Sequence, residues 1–160
     1  MSQGREFLNK VAIPALASKM GDEDMVVIVG VNRNYNYKEM FPKVLEIDIN
    51  PATNPDIVDD ICHSQLQSEV AKAVLFIGVY EFLENPTLAI KEVHRILKPN
   101  GHLLAALPGR GHWRAPGDTN ARISLELVPN YLEGFKIHQM SCFYAENNEL
   151  ESCVIFAEKV

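Results

Sequence analysis

Gly30 and Asp48 stand 18 residues apart, each just past a short apolar run, and this spacing is the clearest chemical signal in the chain. A glycine after a strand allows a tight turn and close backbone approach to a ligand. A carboxylate about 20 residues further on can accept both hydroxyls of a ribose. Asn32 and Asn34 follow the glycine at alternate positions, and asparagine tolerates the left-handed backbone of such a loop better than other side chains. Taken singly, each feature has a plainer reading, since a glycine commonly just ends a strand and Asp48 can cap a turn with Asn50. Their joint spacing, between strands that alternate with helices, favours the ribose.

Other chemistries are argued against. His63, His94, His102 and His138 show no metal-ligand spacing, so no metal site is expected. Cys62, Cys142 and Cys153 are odd in number and lack a C-x-x-C pair, which indicates neither a disulfide framework nor a zinc knuckle and fits a reducing, cytoplasmic setting. Fifteen Lys and Arg against 21 Asp and Glu leave a net charge of −6, which works against nucleic acid and points to a small or neutral partner. The polar N-terminus is unlike a secretory signal, and no apolar run approaches the ~20 residues that span a bilayer, so no membrane association is expected.

The elements that must position these residues follow from periodicity. The chain's 160 residues, 47% hydrophobic, fit one domain: an N-terminal helix within 1–22 and an α/β core over 23–160. Apolar residues at helical spacing predict a helix over 6–20, with Pro14 expected to kink or restart it. Residues 25–29 are apolar at every position, as in a parallel strand covered on both faces. Strands are expected at 43–49, 56–61, 73–79 and 103–107, and a weak helix at 64–71. Asn85 and Pro86 signal a helix start whose stop is Asn100-Gly101. A short helix at 124–132 and a hairpin of 135–144 with 150–158 complete the order. The fold class is therefore α/β: a Rossmann-like, open, mostly parallel seven-stranded sheet with helices on both faces and a C-terminal antiparallel hairpin.

The stretch 74–108, VLFIGVYEFLENPTLAIKEVHRILKPNGHLLAALP, resembles the central segment of class I S-adenosylmethionine-dependent methyltransferases. There a strand runs into an acidic turn before Asp-Pro, where this chain has Asn85-Pro86, then a helix ending in Glu-x-x-Arg-x-Leu-Lys-Pro, then a strand ending in Pro. Asp48-Ile49-Asn50-Pro51, the segment 56–61 and Gly134-Phe135 extend the likeness over most of the chain. Two departures stand out: Gly30, Asn32 and Asn34 occupy the places of three glycines, with Ile28 where an acid is usual, and Phe82 replaces a frequent histidine.

The resemblance implies S-adenosylmethionine as cofactor and a small-molecule acceptor (a metabolite, sugar or lipid). Gly30 and Asn32 would approach the methionyl part, Asp48 the ribose and Ile49 the adenine. Asp60 would take the adenine amino group beside Ile61, while Ile77, Gly78 and Val79 would contact the cofactor and face the acceptor. Methyl transfer is an in-line displacement served largely by positioning, and a general base helps when the acceptor is a hydroxyl or amine. The candidates are His112, in the unusual loop RGHWRAPGD over 110–118, and Glu81 in the turn. Their plainer readings are a solvated, mobile loop and a turn closed on backbone amides. Against the transferase stands a methyltransferase-like domain that binds the cofactor weakly or not at all and serves as a binding or regulatory module. A nicotinamide oxidoreductase ranks last, because G-x-G-x-x-G is missing after the first strand. Trp113 and the aromatic-rich ends leave room for a homodimer.

Overall fold

The computed structural model describes residues 1–160. Seven strands form one sheet: β1 Met25–Val29, β2 Lys43–Asp48, β3 Ile57–Val58, β4 Ala71–Ile77, β5 Leu97–Pro108, β6 Phe135–Tyr144 and β7 Leu150–Lys159. Their order is β3-β2-β1-β4-β5-β7-β6. Strands β1 to β5 pair in parallel, and β7 runs antiparallel to both β5 and β6. Strand order reverses between β1 and β4, which opens a crevice at their carboxyl ends.

Alternation along the strands builds two cores. Val27, Val29, Val74, Phe76, Leu103 and Ala105 face α3 (Pro86–Ile96), while Val26, Ile28, Ala73, Leu75 and Leu104 face α1 (Gln3–Phe7) and α2 (Ile13–Ala17). Strands coated on both faces must be apolar throughout, and Val26, Val27, Val74, Leu75 and Phe76 are fully or almost fully buried. Helix α3 starts as expected, with Asn85 Oδ1 accepting from Leu88 N–H and Pro86 in the first turn.

Pro14 stands where the N-terminal helix restarts, in the first turn of α2. A π turn over Leu8–Ala12 joins α1 to α2 and lets Ile13 N–H reach Leu8 O, so the wide turn falls just where proline withdraws a donor. The third strand is two residues long, and the helix expected at 64–71 is absent. Arg95 explains the latter: it donates to the carbonyls of Ser64 and Leu66 while Glu69 N–H donates to Arg95 O, which holds the segment extended around α3. The expected helix at 124–132 is a 3-10 turn, Leu125–Leu127, followed by α4 (Val128–Tyr131).

The connection from β1 to β2 has no α-helix, only a 3-10 turn at Tyr37–Met40. Its sequence, NRNYNY over 32–37, has no apolar face for the sheet. Two side chains fill the space: Phe41, 6% exposed, and Tyr37, which packs against the α1–α2 core. No helix is long and apolar enough to cross a membrane.

Candidate functional site

A groove of about 1030 Å³ lies at the carboxyl ends of β1, β2 and β4, where strand order reverses. Its volume is at the upper end of what small-molecule sites occupy. Of the residues named from sequence, Gly30, Asn32, Asp48, Ile49, Asp60, Ile61, Ile77, Gly78 and Val79 all line it.

Gly30 has φ +78°, and a Cβ there would sit 2.7 Å from Val79 Cγ2, so backbone conformation and close approach both select glycine. Gly78 has φ +67°, and a Cβ would meet nothing within 4 Å, so its backbone borders open space in the groove. Asn32 and Asn34 do not take the left-handed backbone expected of them. Asn32 Oδ1 instead accepts from Asn34 N–H at 3.0 Å, an Asx turn that closes the loop on itself.

Asp48 closes the turn that its plainer reading foresaw and faces the groove. Its Oδ2 accepts from Val31 N–H and its Oδ1 from Asn50 N–H, each at 2.8 Å, so the turn with Asn50 is real. Each carboxylate oxygen keeps a further lone pair for a hydroxyl from the groove. Ile49 next to it is 68% exposed, an apolar surface beside a carboxylate. Asp60 caps the 3-10 turn Ile61–His63 through Cys62 N–H, while Ile61 is buried at the groove floor. Asp59 had no sequence signal. It is buried and ties Ser64 Oγ and Gln65 N–H, which fixes the segment that carries Asp60. Cys62 also lines the groove, but burial and the nearby Asp60 charge push its thiol up, away from a nucleophilic thiolate.

Glu81 and His112 do not line this groove; Glu81 stands in the turn after β4, between Val79 and Phe82 in sequence, which do line it, and His112 in the loop after β5. The fold brings them together, with Glu81 Oε1 3.6 Å from His112 Nε2. Glu81 is 7% exposed, and its Oε2 is buried without a partner. The loop is largely exposed, as its composition suggests, but its two ends are fastened. Thr119 N–H donates to Glu81 O and its hydroxyl hydrogen is shared between Glu81 O and Leu83 O; Ile123 N–H donates to Pro108 O; Gly111 N–H donates to Leu150 O. Inside it Arg122 pairs with Asp118 at 2.7 Å, and the guanidinium holds that carboxyl down at about 2. Trp113, in contrast, is 69% exposed. No group of three or more His, Cys, Asp or Glu side chains is placed to hold a metal.

A methyltransferase domain family matches residues 26–105, from the second residue of β1 into β5, half of the chain. The chain belongs to this family. Its members are class I S-adenosylmethionine-dependent methyltransferases, and their cofactor is S-adenosylmethionine. No curated protein sequence matches the chain. Solved structures that share its fold include an S-adenosylmethionine-dependent methyltransferase from Methanosarcina mazei (17% identity, TM-score 0.75, 92% of this chain and 97% of that one). A second is a phosphoethanolamine N-methyltransferase from Haemonchus contortus, in complex with phosphomonomethylethanolamine and S-adenosylhomocysteine (14%, TM-score 0.73, 96% of this chain and 52% of that one). A third is the cyclase SpnF (12%, TM-score 0.72, 92% of this chain and 80% of that one), so one family fold carries different chemistries.

The groove fits the family's cofactor on its own chemistry: carboxylates and an exposed apolar side chain at the β2 and β3 ends, open glycine backbone at the β1 and β4 ends. Sequence reasoning missed Arg5, Tyr35 and Tyr37, which also line it. Arg5 precedes every recognisable motif, and the two tyrosines sit in a polar segment, NRNYNY, without helical or strand periodicity, so only the folded chain brings them to the site.

Proposed function

We propose that this protein transfers a methyl group from S-adenosylmethionine to a small-molecule acceptor in the cytoplasm. The observation that carries the reading is the pairing of Asp48 with exposed Ile49 at the switch-point groove, a ribose acceptor beside an adenine platform. In this reading Asp48 accepts the ribose hydroxyls, Ile49 and Ile61 flank the adenine, and Asp60 takes its amino group. Gly30 and Asn32 border the methionyl part, and Ile77, Gly78 and Val79 separate cofactor from acceptor. The bound cofactor supplies an electrophilic methyl on a sulfonium. His112 takes the acceptor's proton on the ring nitrogen turned away from Glu81, and the Glu81 carboxylate orients the ring and stabilises its positive charge.

Titration calorimetry with S-adenosylmethionine, S-adenosylhomocysteine and the nicotinamide dinucleotides tests this. The first two bind, the dinucleotides do not, and Asp48→Ala weakens binding at least tenfold. Absence of binding at millimolar cofactor would overturn the enzyme. A second reading, a regulatory module without transfer, is favoured by one observation: the loop after β1 leads into no helix, so no helix N-terminus faces the groove there. Cofactor binding with no turnover on any acceptor would support it.

A further inference from the structure

Two arginines line the groove, and their donors are spent very differently. Arg33 uses all three nitrogens, on the carbonyls of Thr53 and Asn54 and on the buried Glu46. Arg5 uses one: Nη1 donates to Tyr37 Oη at 2.8 Å, while Nε and Nη2 have no partner in the protein and no carboxylate lies within ion-pair distance. That hydrogen bond is oriented, because the Tyr37 hydroxyl passes its own proton to Asn9 Oδ1 at 2.9 Å. The guanidinium also lies over the Tyr35 ring, 4.6 Å from its centroid, and Tyr35 stacks on Tyr37 with planes 9° apart. The plane of Arg5 is thus held, and the edge left free, Nε with Nη2, is one of the two that take a carboxylate with parallel hydrogen bonds.

No carboxylate pairs with Arg5, although Glu46, Asp48 and Asp60 line the same groove. The groove also presents the apolar ends of β1 and β4, Ile28, Leu75 and Ile77, and Ile28 stands where the family resemblance leads one to expect an acid. Gly4, the preceding residue, is pressed against Phe143 and Ser152, which fixes the start of α1 across the sheet and turns Arg5 toward the tyrosines. A half-buried cationic fork held in place with one edge unpaired is set to take an anion brought by the ligand.

We propose that Arg5 binds the α-carboxylate of the cofactor's methionyl group. The N-terminal helix thereby supplies the anchoring that the altered loop after β1 does not. The proposal rests on the groove being the S-adenosylmethionine site.

The test uses S-adenosylhomocysteine, which carries the carboxylate, and 5′-methylthioadenosine, which lacks the whole aminocarboxypropyl group, each titrated calorimetrically without acceptor. Arg5→Met is expected to weaken S-adenosylhomocysteine 10- to 100-fold and leave 5′-methylthioadenosine within twofold; Arg5→Lys recovers part of the loss. Arg5→Gln, which keeps a donor for Tyr37, gives the same contrast should Arg5→Met not fold. A change under twofold for S-adenosylhomocysteine overturns the carboxylate clamp, and so does a parallel loss for both ligands, since either leaves the carboxylate unread. That result with a binding wild type leaves the groove assignment standing. A wild type that binds neither ligand overturns both. An Arg5 that serves an acceptor's carboxylate instead shows itself as unchanged S-adenosylhomocysteine binding, which again overturns the proposal.

Discussion

Glu81 Oε1 lies 3.6 Å from His112 Nε2 although the two residues come from the ends of different strands, and Glu81 Oε2 beside them has no partner. A carboxylate withdrawn from water and facing an imidazole is an orienting group for a base. Replacing either partner therefore lowers methyl transfer to an oxygen or nitrogen acceptor by about 10²-fold, and the double variant is no slower than the worse single one, because the pair acts as a unit. Affinity for S-adenosylhomocysteine stays unchanged in Glu81→Gln and His112→Asn. Single-turnover rates that do not fall in either variant would remove the pair from the mechanism.

Gly30→Ala meets two separate penalties, a left-handed φ of +78° and a Cβ placed 2.7 Å from Val79 Cγ2. Together these cost about 2 kcal/mol, read as a lower midpoint in urea. Val79→Ala removes the contact but not the backbone strain, so the same glycine replacement in that background costs about 1 kcal/mol. Equal costs in the two backgrounds would mean that Val79 moves aside freely.

The succession of strands and helices along the chain, the terminal hairpin, and Gly30 and Asp48 at strand ends were legible from local signals: apolar runs, an Asn-Pro start, a glycine or an acid after a strand. Ile49, Asp60, Ile61, Ile77, Gly78 and Val79, which line the same groove, were reached only through the family resemblance. Failures came where distant residues decide. The segment 64–70 has helical composition, yet Arg95 captures its carbonyls from 29 and 31 positions away. Asn32 and Asn34 could take a left-handed backbone, but a side-chain hydrogen bond between them satisfies the loop without it. The loop over 110–118 reads as solvated and is largely exposed, but Thr119 and the Asp118–Arg122 pair, both at or beyond its end, fasten it in a way its own residues do not announce. Arg5 reaches the groove only through packing of the N-terminal helix, which no local pattern announces.

Arg95 holds Glu92 at 2.7 Å, Ser64 O at 3.1 Å and Leu66 O at 2.8 Å, and so fastens to α3 the segment that follows the groove residues Asp59–His63. Arg95→Met leaves those carbonyls to water and removes hydrogen bonds to a charged group, a loss of about 2 kcal/mol or roughly 4–8 °C in melting temperature for a domain of this size. Proteolysis should then cut first within 64–70. A melting point within 1 °C of the parent, measured by calorimetry, would show that the segment is held by other contacts.

Cys142 and Cys153 face each other across β6 and β7 with their sulfurs 3.2 Å apart, near the ~2.0 Å of a disulfide. Burial pushes the Cys153 thiol up to about 12, and Cys142 is the more exposed of the two, the one an oxidant reaches first. Diamide, which takes up the two hydrogens as it is reduced, should link the pair and leave Cys62 as the one thiol open to alkylation. A peptide map with Cys62 in the crosslink would contradict the geometry.

Asp118 gives the loop a dependence on acid whose sign is set by its partner. Arg122 holds the Asp118 carboxyl at about 2, below its ordinary value near 3.8, so the ionised form is favoured in the folded loop. The stabilisation is complete above pH ~4 and is lost as pH falls toward 2, when the carboxyl takes a proton and the hydrogen bonds to Arg122 weaken. Trp113, the single tryptophan of the chain, sits in this loop and reports on it directly. Its fluorescence anisotropy should drop over pH 4 to 2 in the wild type, while Asp118→Asn shows the low value already at pH 7 with far-ultraviolet circular dichroism unchanged. Arg122→Met should match it, since the pair and not the carboxylate alone closes the loop. Equal anisotropy in all three proteins at neutral pH would mean that Thr119 and Ile123 hold the loop without the ion pair.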